Sequence, residues 1–204
     1  MSLPLSADDD WKLWRDQDEI KIYSRMSGSG YLDIRATTKI NTTLSAFIAL
    51  LHDTARVPEW VQSVSDVTVI EVLGERSNIV HTQFQAPWPV ANRDMVTFSE
   101  YSQPEPCSLV LNISDRHDAI PELEGYIRII DVRSRWLLAV QPGGSVNVDY
   151  QAHANTSGLL PKWIANRTSL QTAFKTFQAL RQQLAEPRYQ EKVVGGIMEC
   201  PAQP

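Results

Sequence analysis

"GLLPKWIANRTSLQTAFKTFQALRQQLAE", residues 158–186, is the stretch on which the fold turns. Pro161 suits the first turn of a helix, where its missing N–H would go unpaired anyway, and no breaker follows until Pro187. The stretch predicts one helix of roughly 25 residues, about 37 Å long at 1.5 Å per residue. Trp163, Leu170, Phe174, Phe177 and Leu184 run along it as an apolar stripe, with Lys162, Lys175, Gln178 and Gln182 elsewhere. Such a stripe needs a broad apolar surface to cover it.

That surface lies upstream. From Asp66 to about Thr156 the signals are nearly all β: "DVTVIEVL", "SNIVHTQFQ", "DMVTFSEYSQ", "CSLVLNISD", "YIRIIDV", "SRWLLAVQP" and "SVNVDYQAHA". Gly74, Pro104-Glu105-Pro106 and Gly143-Gly144 separate them, which predicts an antiparallel meander. "RHDAIPELEG" (116–125) is too polar and Pro-interrupted for a strand and reads as an exposed loop. Earlier, "EIKIYSR" and "YLDIRATTKI" form a hairpin through "SGSG" (27–30). In "NTTLSAFIALLHDTARVPEW", Thr42 or Thr43 caps a helix whose Leu44, Phe47, Ile48 and Leu51 share a face, and Pro58 is expected to end it. Ser6 and three aspartates precede Trp11 and Trp14, which predicts a short acid-capped helix at the start. A sheet of about nine strands with so few helices has to curl around the last one. The space between them is either filled by side chains or holds an apolar ligand.

The chain has 204 residues, 43% of them hydrophobic and 21% charged, which fits one globular domain. We take 1–187 as that domain and 188–204 as a tail without period, expected to be flexible. A net charge of −5 and no Lys/Arg cluster argue against nucleic acid as a partner. No apolar run spans a bilayer and no secretory leader is evident. Cys107, placed in a strand, and Cys200, in the tail, imply neither a disulfide framework nor a metal site, so a reducing, cytoplasmic setting is expected.

Four motifs in order, "HDTARVPEW" ending the first long helix, "APWPVANRDMV" between central strands, "EGYIRI" after the long loop, and "GLLPKWIANRT" opening the last helix, resemble the START domain family of lipid-transfer proteins over residues 10–186. The resemblance implies an α+β helix-grip fold, a curved antiparallel sheet around a long C-terminal helix. It further implies a hydrophobic tunnel for one lipid or other hydrophobic small molecule, with the last helix as lid and loop 116–125 at its mouth. It implies no cofactor; transient contact with a membrane surface is a further expectation. Sterol-carrying members resemble this chain but place an acid and a base in the tunnel, at positions aligned near Gln83 and Ser99. Neither is charged here, so phospholipid, fatty-acid and polyketide-like ligands stay open.

Candidate ligand contacts are Gln83, Ser99, Arg128, Trp163, Arg167, Leu170, Phe174 and Phe177. Arg128 either faces inward, to meet a carboxylate or phosphate, or joins a cross-strand ion pair outside. Arg167 reads first as a rim residue with its charge in water. Trp163, Phe174 and Phe177 either touch ligand or are core, while Trp60 and Trp136 read as core. In "APWPVANRDMV" Trp88 is expected to pack as a wedge and Arg93 with Asp94 to pin the bend. His52, His81, His117 and His153 lack metal-site spacing, and no G-x-S-x-G elbow or phosphate loop occurs. The expected role is non-enzymatic. The alternative is a cyclase or aromatase on the same scaffold, using Arg128, Glu100 and His81 as polar groups. A ligand-sensing module is a third reading.

Overall fold

Local pairing, read along the chain, builds one large sheet. The structure, a computed structural model, describes residues 10–156, 158 and 160–200. Its elements begin with strands β1 (Lys12–Gln17), β2 (Ile20–Met26) and β3 (Leu32–Ile40), followed by helices α1 (Leu44–His52) and α2 (Val57–Trp60). Strands β4 (Val64–Gly74), β5 (Ser77–Phe84), β6 (Asn92–Ser102), β7 (Ser108–Asp115), β8 (Tyr126–Arg128), β9 (Ile130–Val140) and β10 (Val146–Asn155) come next. Helices α3 (Lys162–Leu184) and α4 (Pro187–Gln190) complete the set. The sheet runs β1-β2-β3-β10-β9-β7-β6-β5-β4, every neighbour antiparallel, and β8 adds to β6 in parallel.

The expected helix-grip architecture is what forms. Phe177 of α3 stacks on Trp136 of β9 with ring centroids 5.5 Å apart, and Tyr150 of β10 lies 4.3 Å from the same indole. Phe47 of α1 closes the group at 5.6 Å from Trp136. Trp60 and Trp136 are core residues, and fully burying side chains of this kind contributes about 1.5–3 kcal/mol each. Polar contacts pin α3 along β2 and β3. At its start Lys162 Nζ donates to Ser29 O at 2.7 Å, and Asn166 bridges Gly30 O and the Leu32 N–H. At its end Arg181 donates to Thr38 Oγ1 at 2.8 Å and pairs with Glu19 at 2.5 Å.

Several expectations change. Residues 12–17 form β1, not a helix: Asp18 and Glu19 take positive φ of 56° and 59° and turn the chain straight back into β2. The ladder with β2 supplies partners that an isolated two-turn helix lacks. The supposed caps at positions 6, 8 and 9 lie outside the described residues. Thr43 caps α1 through Ala46 N, but α1 ends at His52, and Pro58 sits in the first turn of α2, where proline is tolerated. "YIRIIDV" and "SRWLLAVQP" are not two equal strands, because β8 leaves for β6 after three residues and β9 runs unbroken for eleven. Cys107 is in the turn before β7, at φ 70°, and forms a disulfide with Cys200. With both thiols paired, composition no longer favours a reducing compartment. Residues 188–200 fold back on the domain: Tyr189 is buried and Val194 and Ile197 pack on the core.

Candidate functional site

Register assigns each strand residue to a face, since directly paired residues point the same way. No bulge interrupts the β5, β6, β7 and β9 ladders. Starting from Trp136, which touches α3, the row Tyr101, Leu111, Trp136, Tyr150 and Ala36 lies on the concave face. Large rings fill the grip there. The next row on that face is Asn78, Ser99, Ile113, Ser134, Ala152 and Ile34, with three side chains of one or two heavy atoms. Ser99, Ser134 and Ala152 are half-buried. On α3, Ala165, Leu170 and Phe174 are buried on the side that faces the sheet.

Tyr150 marks the change from large to small. It is half-buried and packs against the core, and this burial pushes its phenol up to about 12. Asn78 Oδ1 is buried and accepts no hydrogen bond among the described residues. His52, at the far end of α1, is held below the usual imidazole range by burial. The Tyr150 phenol ties stability to alkaline pH. The unfolded phenol ionises near 10 while the folded one waits until about 12, so stability falls as pH rises through that window, by about 1.4 kcal/mol per unit. Urea unfolding across this range should show the slope, and Tyr150→Phe should flatten it; an unchanged slope in the variant would mean the phenol is not enclosed.

The polar cluster lies on the other face. Asp94, paired with Gln83 on β5 and Arg128 on β8, receives the Arg128 guanidinium, Nε at 3.0 Å from Oδ1 and Nη2 at 2.9 Å from Oδ2. His81 Nε2 meets Asp94 Oδ2 at 2.9 Å. The remaining Arg128 donors go to carbonyls of the long loop, His117 at 2.5 Å, Ile120 at 3.3 Å and Pro121 at 3.0 Å. Arg128 is therefore buried with its donors satisfied, and it fastens loop 116–125 to the convex side of the sheet. Farther along that side is an open depression of about 280 Å³ lined by residues such as Trp11, Arg25, Arg135 and His153. Two of its side chains, Arg25 and His153, meet Asp33 at 2.8 Å each.

Of the predicted contacts, Ser99 falls on the concave face by register, while Leu170, Phe174 and Phe177 are buried on α3, Phe174 with the Arg15 guanidinium 4.5 Å over its ring and Phe177 inside the aromatic end. Gln83 faces the convex side beside Asp94, because it is an even number of residues from His81 and an odd number from the concave Thr82 and Asn78. Trp163 is 68% exposed and Arg167 is exposed, both on the outer side of the first α3 turns. Trp88 is no wedge; it is 93% exposed. Arg93 hydrogen-bonds Ala91 O within the bend, and it also holds Thr156 O, tying the segment that enters α3 to β6. Gly158, in that segment at φ 80°, packs where a Cβ would come within 2.9 Å of Ile127. Glu100, paired with Asn112, is exposed on the convex side. Sequence reading missed Asn78, Ser134, Tyr150 and Ala152. The alternation of "YQAHA" held a signal, since Tyr150 and Ala152 share a face, but only the cross-strand register aligns them with Ser134 and Ser99.

This geometry has relatives. A family model, START domain, matches residues 1–189. An uncharacterized protein of Pseudomonas aeruginosa is 27% identical over 174 residues, 85% of this chain and 86% of that one. Human START domain-containing protein 10 is 24% identical over 144 residues, 70% of this chain but 50% of that protein. Among solved structures, a STAR-related lipid transfer protein from Xanthomonas axonopodis superposes with a TM-score of 0.80 at 29% identity, covering 87% of this chain and 100% of the other. Human STARD10 does so with a TM-score of 0.78 at 19% identity, over 89% and 76% of the two chains, a likeness of fold. The chain belongs to the START domain family.

Proposed function

We propose that the chain encloses one lipid or other hydrophobic small molecule between α3 and the small-residue half of the concave face, and carries or senses it without altering it. The observation that carries this reading is the step from Trp136 and Tyr150 to Ser134 and Ala152 on one face of the sheet. Enclosing roughly 400 Å² of apolar ligand surface contributes on the order of 10 kcal/mol before association costs, so apolar walls suffice for affinity. Ser99 and Asn78 supply polar groups for orientation. Arg128 is committed to Asp94 and the loop, and Glu100 and His81 lie on the convex side. The groups needed for a cyclase-type reaction thus point away from the proposed ligand, which favours binding over catalysis. Native mass spectrometry of protein purified from its source should find one bound hydrophobic molecule per chain. An empty protein that takes up nothing from phospholipid, fatty-acid, sterol and polyketide panels would defeat the reading.

Exchange needs a route to a membrane surface, and one end of the sheet is suited to it. The turns after β2, β5 and β7 and the start of α3 gather there, with Met26 66%, Trp88 93%, Leu123 38% and Trp163 68% exposed. Indole rings settle at the bilayer interface, and Lys162 and Arg167 lie beside Trp163 to meet anionic headgroups. No helix among the described residues is long and apolar enough to cross a membrane, so the contact proposed is peripheral. Replacing Trp88 or Trp163 with Ala should weaken partitioning to vesicles of phosphatidylcholine and anionic phospholipid by roughly tenfold each, with the fold intact by circular dichroism. Unchanged vesicle sedimentation of the double variant would remove this end as the docking surface.

A further inference from the structure

The segment after α4 is held far more firmly than its composition requires. α4 buries Tyr189, whose hydroxyl meets Asp53 Oδ2 at 2.9 Å. The chain then crosses the end of the sheet opposite the exposed tryptophans. Arg76 donates to Gly196 O at 2.8 Å, and the Gln103 amide grips the Met198 backbone on both sides, at 2.6 and 2.8 Å. Glu199 lays its carboxylate on the start of α1, accepting from Ser45 N at 2.6 Å and Leu44 N at 3.1 Å. Those N–H groups have no partner within the helix, and the positive end of its dipole favours the anion. Cys200 follows at once and is bonded to Cys107 in the β6–β7 turn, 93 residues away in sequence. Apart from Val194, Ile197 and Cys200 the segment is exposed, Val193 at 88% and Met198 at 58%, so few apolar contacts would hold it without the covalent tie.

We propose that residues 191–200 are a redox-released strap: the Cys107–Cys200 disulfide holds Glu199 as the cap of α1, and a dithiol reductant frees both the strap and the helix end. Both cysteines are half-buried, so neither is fully enclosed by the domain. One thiolate of the dithiol attacks a disulfide sulfur and forms a mixed disulfide, releasing one protein thiolate. The second thiol of the reductant then displaces the other. Two electrons pass to the protein, the reductant ends as a disulfide, and the protein sulfurs take up the two protons it gives. Thr43 keeps its bond to Ala46 N, but release of Glu199 leaves the Leu44 and Ser45 N–H groups unpaired, and because α1 bears Phe47 against Trp136 this loosening reaches the aromatic end of the grip. The strap would be closed in an oxidising compartment and open in a reducing one.

Hydrogen exchange read by mass spectrometry tests this on the whole chain, oxidised, reduced with dithiothreitol, and as Cys200→Ser. Peptides covering 43–50 and 191–200 should exchange at least roughly tenfold faster in the reduced protein and in the variant, while β6 stays unchanged. Glu199→Ala should loosen the first turn of α1 and leave 191–198 protected, separating cap from tether. Unaltered protection of 191–200 in protein whose thiols are shown free by alkylation would overturn the proposal. So would unpaired cysteines in protein isolated without reductant.

Discussion

Asp94→Ala is expected to destabilise the fold by about 3–5 kcal/mol. Arg128 is 3% exposed in its side chain and Asp94 1%. Removing the carboxylate leaves the guanidinium in place with only loop carbonyls around it, since His117 O, Ile120 O and Pro121 O can accept its protons but carry no charge. Water cannot reach it to compensate, and His81 loses its partner at the same time. Urea unfolding at neutral pH measures the change directly. The exposed pair of Lys21 and Asp16, at 50% each, supplies the contrast, because breaking a pair of that kind costs about 0–1 kcal/mol. A combined Asp94→Leu and Arg128→Met variant should recover part of the loss while loosening loop 116–125, three of whose carbonyls Arg128 holds. A loss below about 1 kcal/mol for Asp94→Ala would mean that the pair is wet rather than buried.

That pair also shows where a sequence stops being readable. The long final helix and its stripe, the strand run and the first hairpin were all legible, because each is written in local periodicity and turn residues. Arg128 could be read as inward or outward, since alternation gives relative parity but not which face is concave. For Asp94 the sequence suggests a bond that pins the local bend, whereas its partners come from β8 and β5, 34 and 13 residues away. The first strand failed for a related reason: Trp11 and Trp14 have helical spacing, and only the turn at Asp18 and Glu19 shows that β2 is waiting to pair. The cysteines lie 93 residues apart, and nothing local announces that a tail will return to the β6–β7 turn. Trp88 misled because a large aromatic ring between prolines reads as packing, while its position at a loop tip leaves it in water.

Ala152→Phe separates a filled grip from an open one. Ala152 sits between Ser134 and Ile34 in the concave row, on the face of the sheet that α3 covers. If side chains already fill that space, a phenyl ring has to push them aside, and overpacking of this kind costs about 1–3 kcal/mol. If the space is reserved for a ligand, the ring occupies it at little cost, and apolar burial offsets any local adjustment. Ligand capture then suffers instead. A ring that displaces roughly 100 Å² of ligand contact removes about 2.5–3 kcal/mol of binding, on the order of a hundredfold in affinity. The expected outcome is an unfolding midpoint close to the parent's together with that loss of uptake of the co-purified molecule. Ser134→Leu, one strand over on the same row, should act in the same direction. Strong destabilisation with undiminished uptake would place the ligand elsewhere in the molecule. A variant that folds well, binds nothing and still partitions to vesicles would show that docking at the Trp88 and Trp163 end and capture under α3 are separate steps.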